Sequence, residues 1–183
     1  MNLRVCIFCG SAAGKGDEYL QQAQVFGEML VQEKCDLVYG GASVGVMGKI
    51  ADVVLENGGR VVGVMPQSLV DWEVAHPNLS ELQVVDTMHQ RKQIMYDESD
   101  LFIALPGGMG TLDELCEIVT WAQLKYHEKP CFVYNISGFY DHLLSHLDHC
   151  VDQGFLSPIH RTLIKEIRSL DEARAILKQS ASS

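Results

Sequence analysis

Short apolar, β-branched runs recur along the chain at 4–9, 36–39, 60–65, 83–85, 101–105 and 131–135, each the length of a strand and bounded by turn residues. Between and after them the apolar positions take up a helical period, over roughly 17–34, 44–57, 89–99, 111–127, 139–153 and 171–179. This alternation predicts a parallel sheet, because joining two parallel strands requires a long return path that a helix supplies. The expected fold class is α/β, a Rossmann-like three-layer arrangement with a parallel β-sheet flanked by helices. Helix punctuation agrees with it: Asn57-Gly58-Gly59 ends one helix, Gly154 follows another, and Asp171 stands near the start of the last. No internal repeat or shift in composition divides the chain, so a single domain over 1–183 is expected, with a frayed SASS tail.

Composition narrows the function classes. With 47% hydrophobic residues and 183 residues in all, the chain has enough apolar content for a substantial core. A net charge of −10, from 14 basic and 24 acidic residues, argues against a broad nucleic-acid-binding face and leaves room only for a local cationic pocket. The longest apolar runs are far too short to span a bilayer, and no leader-like segment opens the chain, so a cytoplasmic protein without membrane contact is expected. Cysteines at 6, 9, 35, 116, 131 and 150 fit reduced, mostly buried thiols. Cys6 and Cys9 have C-x-x-C spacing, but on a strand and its end they point to opposite faces, and a redox motif of that type needs a helix N-terminus.

Glycines gather after the first, second and fifth predicted strands, in CGSAAGKG at 9–16, YGGASVGVMG at 39–48 and PGGMGT at 106–111. Three such turns at one edge of a parallel sheet would form a single crevice lined with backbone N–H groups. The first is not a P-loop, since a spacer residue is missing and Gly16 stands where Ser or Thr would hold magnesium. The second lacks the G-x-G-x-x-G spacing of a dinucleotide fingerprint. The third has strand, glycines, threonine and helix start in the order of an anion seat, with free N–H groups and the positive end of the helix dipole. A tight turn that binds nothing would look the same.

Asp113 and Glu114 follow that seat. Placed in the first helical turn, both acids are favoured by the dipole alone, and for Asp113 this is the preferred reading. The longer Glu114 side chain can also reach past a phosphate to a sugar, where a carboxylate stabilises an oxocarbenium-like transition state or activates water. Upstream, MHQRK at 88–92 places Arg91 and Lys92 at the same sheet edge. They are candidate phosphate or sugar ligands, or else a solvated basic pair.

Together these segments resemble the LONELY GUY (LOG) family, the cytokinin-activating nucleoside monophosphate phosphoribohydrolases. The likeness runs from CGSAAG at 9–14 through YGGASVGVMG, EVAHPNL at 73–79 and MHQRK to TWAQL at 120–124 and FYDHLL at 139–144. The family pattern P-G-G-x-G-T-x-x-E is met by Pro106, Gly107, Gly108, Gly110, Thr111 and Glu114. The resemblance implies a homodimer that hydrolyses the N-glycosidic bond of AMP or an N6-substituted AMP, releasing the base and ribose 5-phosphate. No cofactor and no metal are implied. Carried over position by position, Arg91 and Glu114 form the catalytic pair. Glu73, Arg91, Lys92, Gly107, Gly108, Met109, Gly110, Thr111, Leu112, Asp113, Glu114 and Thr120 are expected to contact the nucleotide.

The chain departs from the family pattern at Gln90 and Ala42, where M-H-E-R-K and Y-G-G-G are frequent, which bears on base preference and affinity more than on the reaction. Many relatives are labelled lysine decarboxylases, which would imply pyridoxal phosphate, yet no lysine here sits in a recognisable motif for it. His142, His146 and Cys150 share helical spacing and read as an ordinary helix face or a metal site. Trp72, Trp121, Met88, Met95 and Met109 read as core, interface or purine pocket, and Met109, within the loop, is the one favoured for the pocket. A non-catalytic nucleotide sensor or carrier is the competing function class.

Overall fold

The computed structural model describes residues 2–72 and 74–182. Its strands are β1 (Leu3–Phe8), β2 (Cys35–Tyr39), β3 (Val61–Pro66), β4 (Glu81–Val85), β5 (Leu101–Ala104), β6 (Cys131–Tyr134) and β7 (Ile164–Ile167). They form one sheet in the order β4-β3-β2-β1-β5-β6-β7, and every pairing is parallel. The connections run outward from β1 to β4 on one side and resume at β5 on the other side of β1. The order therefore reverses between β1 and β5, the kind of point at which open α/β sheets hold ligands.

The helices are α1 (Glu18–Gln32), α2 (Gly45–Glu56), α3 (Gln67–Val70), α4 (Met88–Asp97), α5 (Met109–Gln123), α6 (Asp141–Asp152), α7 (Pro158–Arg161) and α8 (Leu170–Ala181). Alternate strand residues feed two cores. Val5, Ile7, Leu37, Leu101 and Ile103 pack with Phe26 and Leu30 of α1, Ile50 and Val54 of α2, and Leu177 of α8. Cys6, Phe8, Val38, Val64, Phe102 and Val133 pack on the opposite face with Met95 of α4, Leu115 and Ile118 of α5, and Leu144 of α6. Covering both faces explains why the central strands read as continuous apolar runs. It also separates Cys6 and Cys9, which belong to opposite cores. Burial raises both thiols above their ordinary range, so neither is poised as a thiolate.

β7 has no counterpart among the predicted strands. Its residues IKEI bury only Ile164 and Ile167, and the charges between them hide an edge strand from an apolar-run criterion. A second difference bears on the site. α5 begins at Met109 rather than near Thr111, with Gly108 as its N-cap. Glycine's poor helix propensity makes MGT read as loop, but the helix absorbs it. Asp113 and Glu114 therefore lie beyond the first turn, and the dipole explanation for Asp113 does not hold.

Among the described residues, no helix is long and apolar enough to cross a membrane. Nor does any group of three or more His, Cys, Asp or Glu side chains there offer a metal site. On α6, Cys150 Sγ lies 3.7 Å from His146 Nε2, with no third ligand among the described residues.

Candidate active site

At the C-terminal ends of β1, β2, β3 and β5 lies a crevice of about 370 Å³. All three glycine turns reach it, through Gly10 and Ser11, through Gly40, Ala42 and Val44, and through Gly108 to Thr111. Backbone bonds fix the turns to one another: Gly10 N–H donates to the Pro106 carbonyl at 3.1 Å, and Met47 N–H donates to the Gly10 carbonyl at 3.2 Å. The apolar side of the crevice comprises Met47, Met65, Leu69, Trp72 and Val74.

The glycines of PGGMG divide into two kinds. A Cβ on Gly107 would stand 2.0 Å from Thr111 Oγ1 and 2.8 Å from the Gly10 nitrogen. Gly107 is thus required by packing, because the first and third turns touch there. Around Gly108 and Gly110, a Cβ would meet nothing within 4 Å, and neither residue has positive φ. Both line the crevice, and both belong to a helix start whose first N–H groups have no intrahelical acceptor. Among the described residues nothing crowds a side chain at these two positions, so the space beside the backbone is open to a ligand.

Arg91, on α4, and Glu114, on α5, meet at the crevice floor, with Nη1 and Oε1 2.9 Å apart and side chains 9% and 10% exposed. Arg91 Nε also donates to the Val64 carbonyl at 3.0 Å. Two anchors therefore fix the guanidinium plane. Gly40 supplies the space: a Cβ there would come within 2.1 Å of Arg91 Nη2. Burial pushes the Glu114 carboxyl above the usual carboxylate range, the Arg91 charge opposes this, and Asp113 adds to the rise. The result is a buried carboxylate with one fixed cationic partner, facing a cavity built from backbone N–H groups and apolar side chains.

Lys92 points elsewhere. Its ammonium lies 3.1 Å from Asp113 and forms a second ion pair with Glu117, bracing α4 against α5 beside the crevice. Burial lowers its pKa, but the two carboxylates outweigh that effect and the net shift is upward. Asp113, 60% exposed, is thus explained by Lys92. Leu112 packs against the core beneath α5. Thr120 is exposed, its hydroxyl donating to the Cys116 carbonyl at 2.7 Å, away from the crevice-lining residues. Gly107 lies in the loop itself, behind Gly108. Glu73 falls outside the described residues.

Other expectations sort in the same way. Met109 and Trp72 line the crevice and are 81% and 74% exposed, whereas Met95 is buried in the core and Trp121 packs edge-on against Tyr96. Gln90 caps α4: its side-chain oxygen accepts from Thr87 N–H while its own N–H donates to Thr87 Oγ1. Glutamate would serve that capping box equally, so the cap is indifferent to the departure at Gln90. Ala42 does line the crevice. Sequence reading missed Ser11, whose only signal was its place in the first glycine turn, and the clearance role of Gly40, for which no signal existed in one dimension.

Comparison with known proteins agrees with the architecture. A family model described as "Possible lysine decarboxylase" matches residues 47–179. The chain is 50% identical over 161 residues to the probable cytokinin riboside 5'-monophosphate phosphoribohydrolase LOGL5 of Oryza sativa subsp. japonica, covering 88% of this chain and 65% of that one. It is 45% identical over 176 residues to the cytokinin riboside 5'-monophosphate phosphoribohydrolase LOG7 of Arabidopsis thaliana, covering 96% and 80%. Among solved structures, the molybdenum cofactor binding protein of Rippkaea orientalis superposes with a TM-score of 0.74 at 19% identity, covering 98% of this chain and 97% of that one. The molybdenum cofactor carrier protein of Chlamydomonas reinhardtii gives 0.74 at 18%, with full coverage of both chains. At such identity these two likenesses concern the fold alone. The matches in sequence go further, and the chain belongs to the LONELY GUY family.

Proposed function

We propose that this chain is a nucleoside 5'-monophosphate phosphoribohydrolase that hydrolyses the N-glycosidic bond of AMP or an N6-substituted, cytokinin-type AMP. The observation that carries the reading is the buried Arg91–Glu114 pair at 2.9 Å, placed beside Gly108 and Gly110, where open space leaves the backbone accessible to a ligand. In this account the N–H groups at the start of α5 hold the 5'-phosphate. The apolar side of the crevice receives the base, and the ribose lies over Glu114. As the C–N bond lengthens, positive charge grows at the anomeric carbon and ring oxygen. The Glu114 carboxylate opposes that charge and accepts a proton from the attacking water. Arg91 keeps Glu114 ionised and oriented. The base leaves with the C–N electron pair and takes up one proton, Glu114 returns the one it accepted to solvent, and the products are the free base and ribose 5-phosphate.

The label on the family model would suggest a decarboxylase with pyridoxal phosphate. No lysine is among the crevice-lining residues, and Lys92 is committed to Asp113 and Glu117. The residues present do not fit a Schiff base, and no step is routed through one. A homodimer, as the family resemblance implies, forms part of the same proposal.

The test is to incubate purified protein with AMP and with isopentenyl-AMP and to separate the products chromatographically. Free base and ribose 5-phosphate in equal amounts are expected. Tight nucleotide binding without product would favour the carrier reading instead, and an amine product from lysine would favour the decarboxylase.

A further inference from the structure

His76 is a buried titratable group that the mechanism above does not use. It is 5% exposed and sits in the stretch 74–78 that passes over the second glycine turn. Both ring nitrogens are engaged. Nδ1 accepts from Asn78 N–H at 3.2 Å, which leaves the proton on Nε2, and Nε2 donates to Asp52 Oδ1 of α2 at 2.9 Å. Its backbone N–H donates to the Gly41 carbonyl at 2.9 Å. On either side, Ser43 N–H donates to the Val74 carbonyl at 2.9 Å, and Ala42 and Ala75 form an antiparallel bridge.

These bonds join two pieces of the crevice that the sheet does not join. Ala42 lies on the turn after β2, and Trp72 and Val74 lie on the segment after α3; all three line the same cavity as Arg91 and Glu114. Backbone bonds join them at Gly41, Ser43 and the Ala42–Ala75 bridge. Among the described residues of the 74–78 segment only His76 is buried, and its imidazole fastens the segment to α2. We propose that His76, held by Asp52, is a positioning residue for the substrate site: it docks the 74–78 strap on the second glycine turn and so sets the apolar wall against which the base is placed. The consequence for substrate rests on the nucleotide reading above, but the docking does not.

Hydrogen exchange and steady-state kinetics test the two parts separately. His76→Asn keeps an acceptor near Nδ1 and loses the reach to Asp52, while His76→Gln places an amide donor near Nε2. Asp52→Ala, at a half-exposed carboxylate, loosens the same contact if the His76 variants fold poorly. In His76→Asn and Asp52→Ala, exchange of the Ser43 and His76 amides is expected to accelerate tenfold or more, with α1 and α8 amides unchanged. With AMP as substrate, KM should rise about tenfold while kcat stays within twofold, and His76→Gln should recover most of the loss.

Unchanged exchange at Ser43 and His76 would overturn the docking, whatever the activity. Accelerated exchange with an unaltered KM would overturn the positioning role. If the wild-type protein cleaves no nucleotide, the function reading fails, and AMP binding by calorimetry takes the place of KM. An affinity for AMP that is the same in wild type and His76→Asn would then overturn the inference.

Discussion

The two kinds of glycine in the loop give a prediction whose two halves move in opposite directions. A methyl on Gly107 would have to occupy space now held by Thr111 Oγ1 at 2.0 Å and the Gly10 nitrogen at 2.8 Å. One of these partners is backbone, so the misfit cannot be relieved by a rotamer change alone. Overpacking of this kind costs about 1–3 kcal/mol. In a chain of this length each kcal/mol lowers Tm by about 2–4 °C, which puts Gly107→Ala on the order of 2–12 °C below wild type. Gly110→Ala meets no atom within 4 Å and lies at the second position of α5, where alanine is favoured over glycine by up to about 1 kcal/mol. Its Tm should equal or exceed that of wild type. Nucleotide binding should reverse the ranking, because the Gly110 methyl enters the space assigned to the phosphate: the Kd for AMP is expected to rise tenfold or more. Calorimetric unfolding and AMP titration of both variants supply the four numbers. A Gly110→Ala protein that loses as much stability as Gly107→Ala, or that binds AMP as wild type does, would refute the division.

Other consequences follow from the same geometry. Because burial raises the Glu114 pKa and the ionised form is the active one, kcat/KM should fall with decreasing pH through an acid limb above the ordinary glutamate range. Asp113 contributes to that rise, so Asp113→Asn should move the limb to lower pH; a limb that stays in place, or moves up, would contradict the assigned electrostatics. Tyr140→Phe removes a buried hydroxyl that donates to the Leu105 carbonyl at 2.7 Å just before the loop. It should cost about 1–3 kcal/mol in chemical denaturation, the usual penalty for stranding a buried acceptor.

Much of the fold was legible because a parallel sheet buried on both faces writes itself as apolar runs separated by helical periods. β1, β2, β3, β5 and β6 lie within a residue or two of their predicted bounds. β7 escaped because this edge strand buries only its two end residues, and Lys165 and Glu166 between them break the apolar run. The site was legible as a set of turns but not as a set of contacts. Proximity of Lys92 to Asp113, or of Arg91 to Gly40, is created by chain segments tens of residues apart, and no local pattern encodes it. The same holds for His76, whose partner Asp52 lies on a helix already explained by its apolar face. MGT reads as loop, which places Asp113 at a helix start; α5 begins at Met109, and the partner of Asp113 is Lys92.

Glu114→Gln separates phosphate binding by the loop from the action of Glu114 on the sugar. Removing the carboxylate charge while keeping the shape should leave the Kd for AMP within severalfold of wild type. It should also lower kcat by about 10²–10⁴, the range typical of a general base, or about 3–5 kcal/mol of barrier. Single-turnover release of adenine from AMP, measured beside calorimetric binding of AMP to the same preparation, reads both quantities. Retained binding with adenine release slowed a hundredfold or more is the predicted result; adenine released by Glu114→Gln at the wild-type rate would contradict the account.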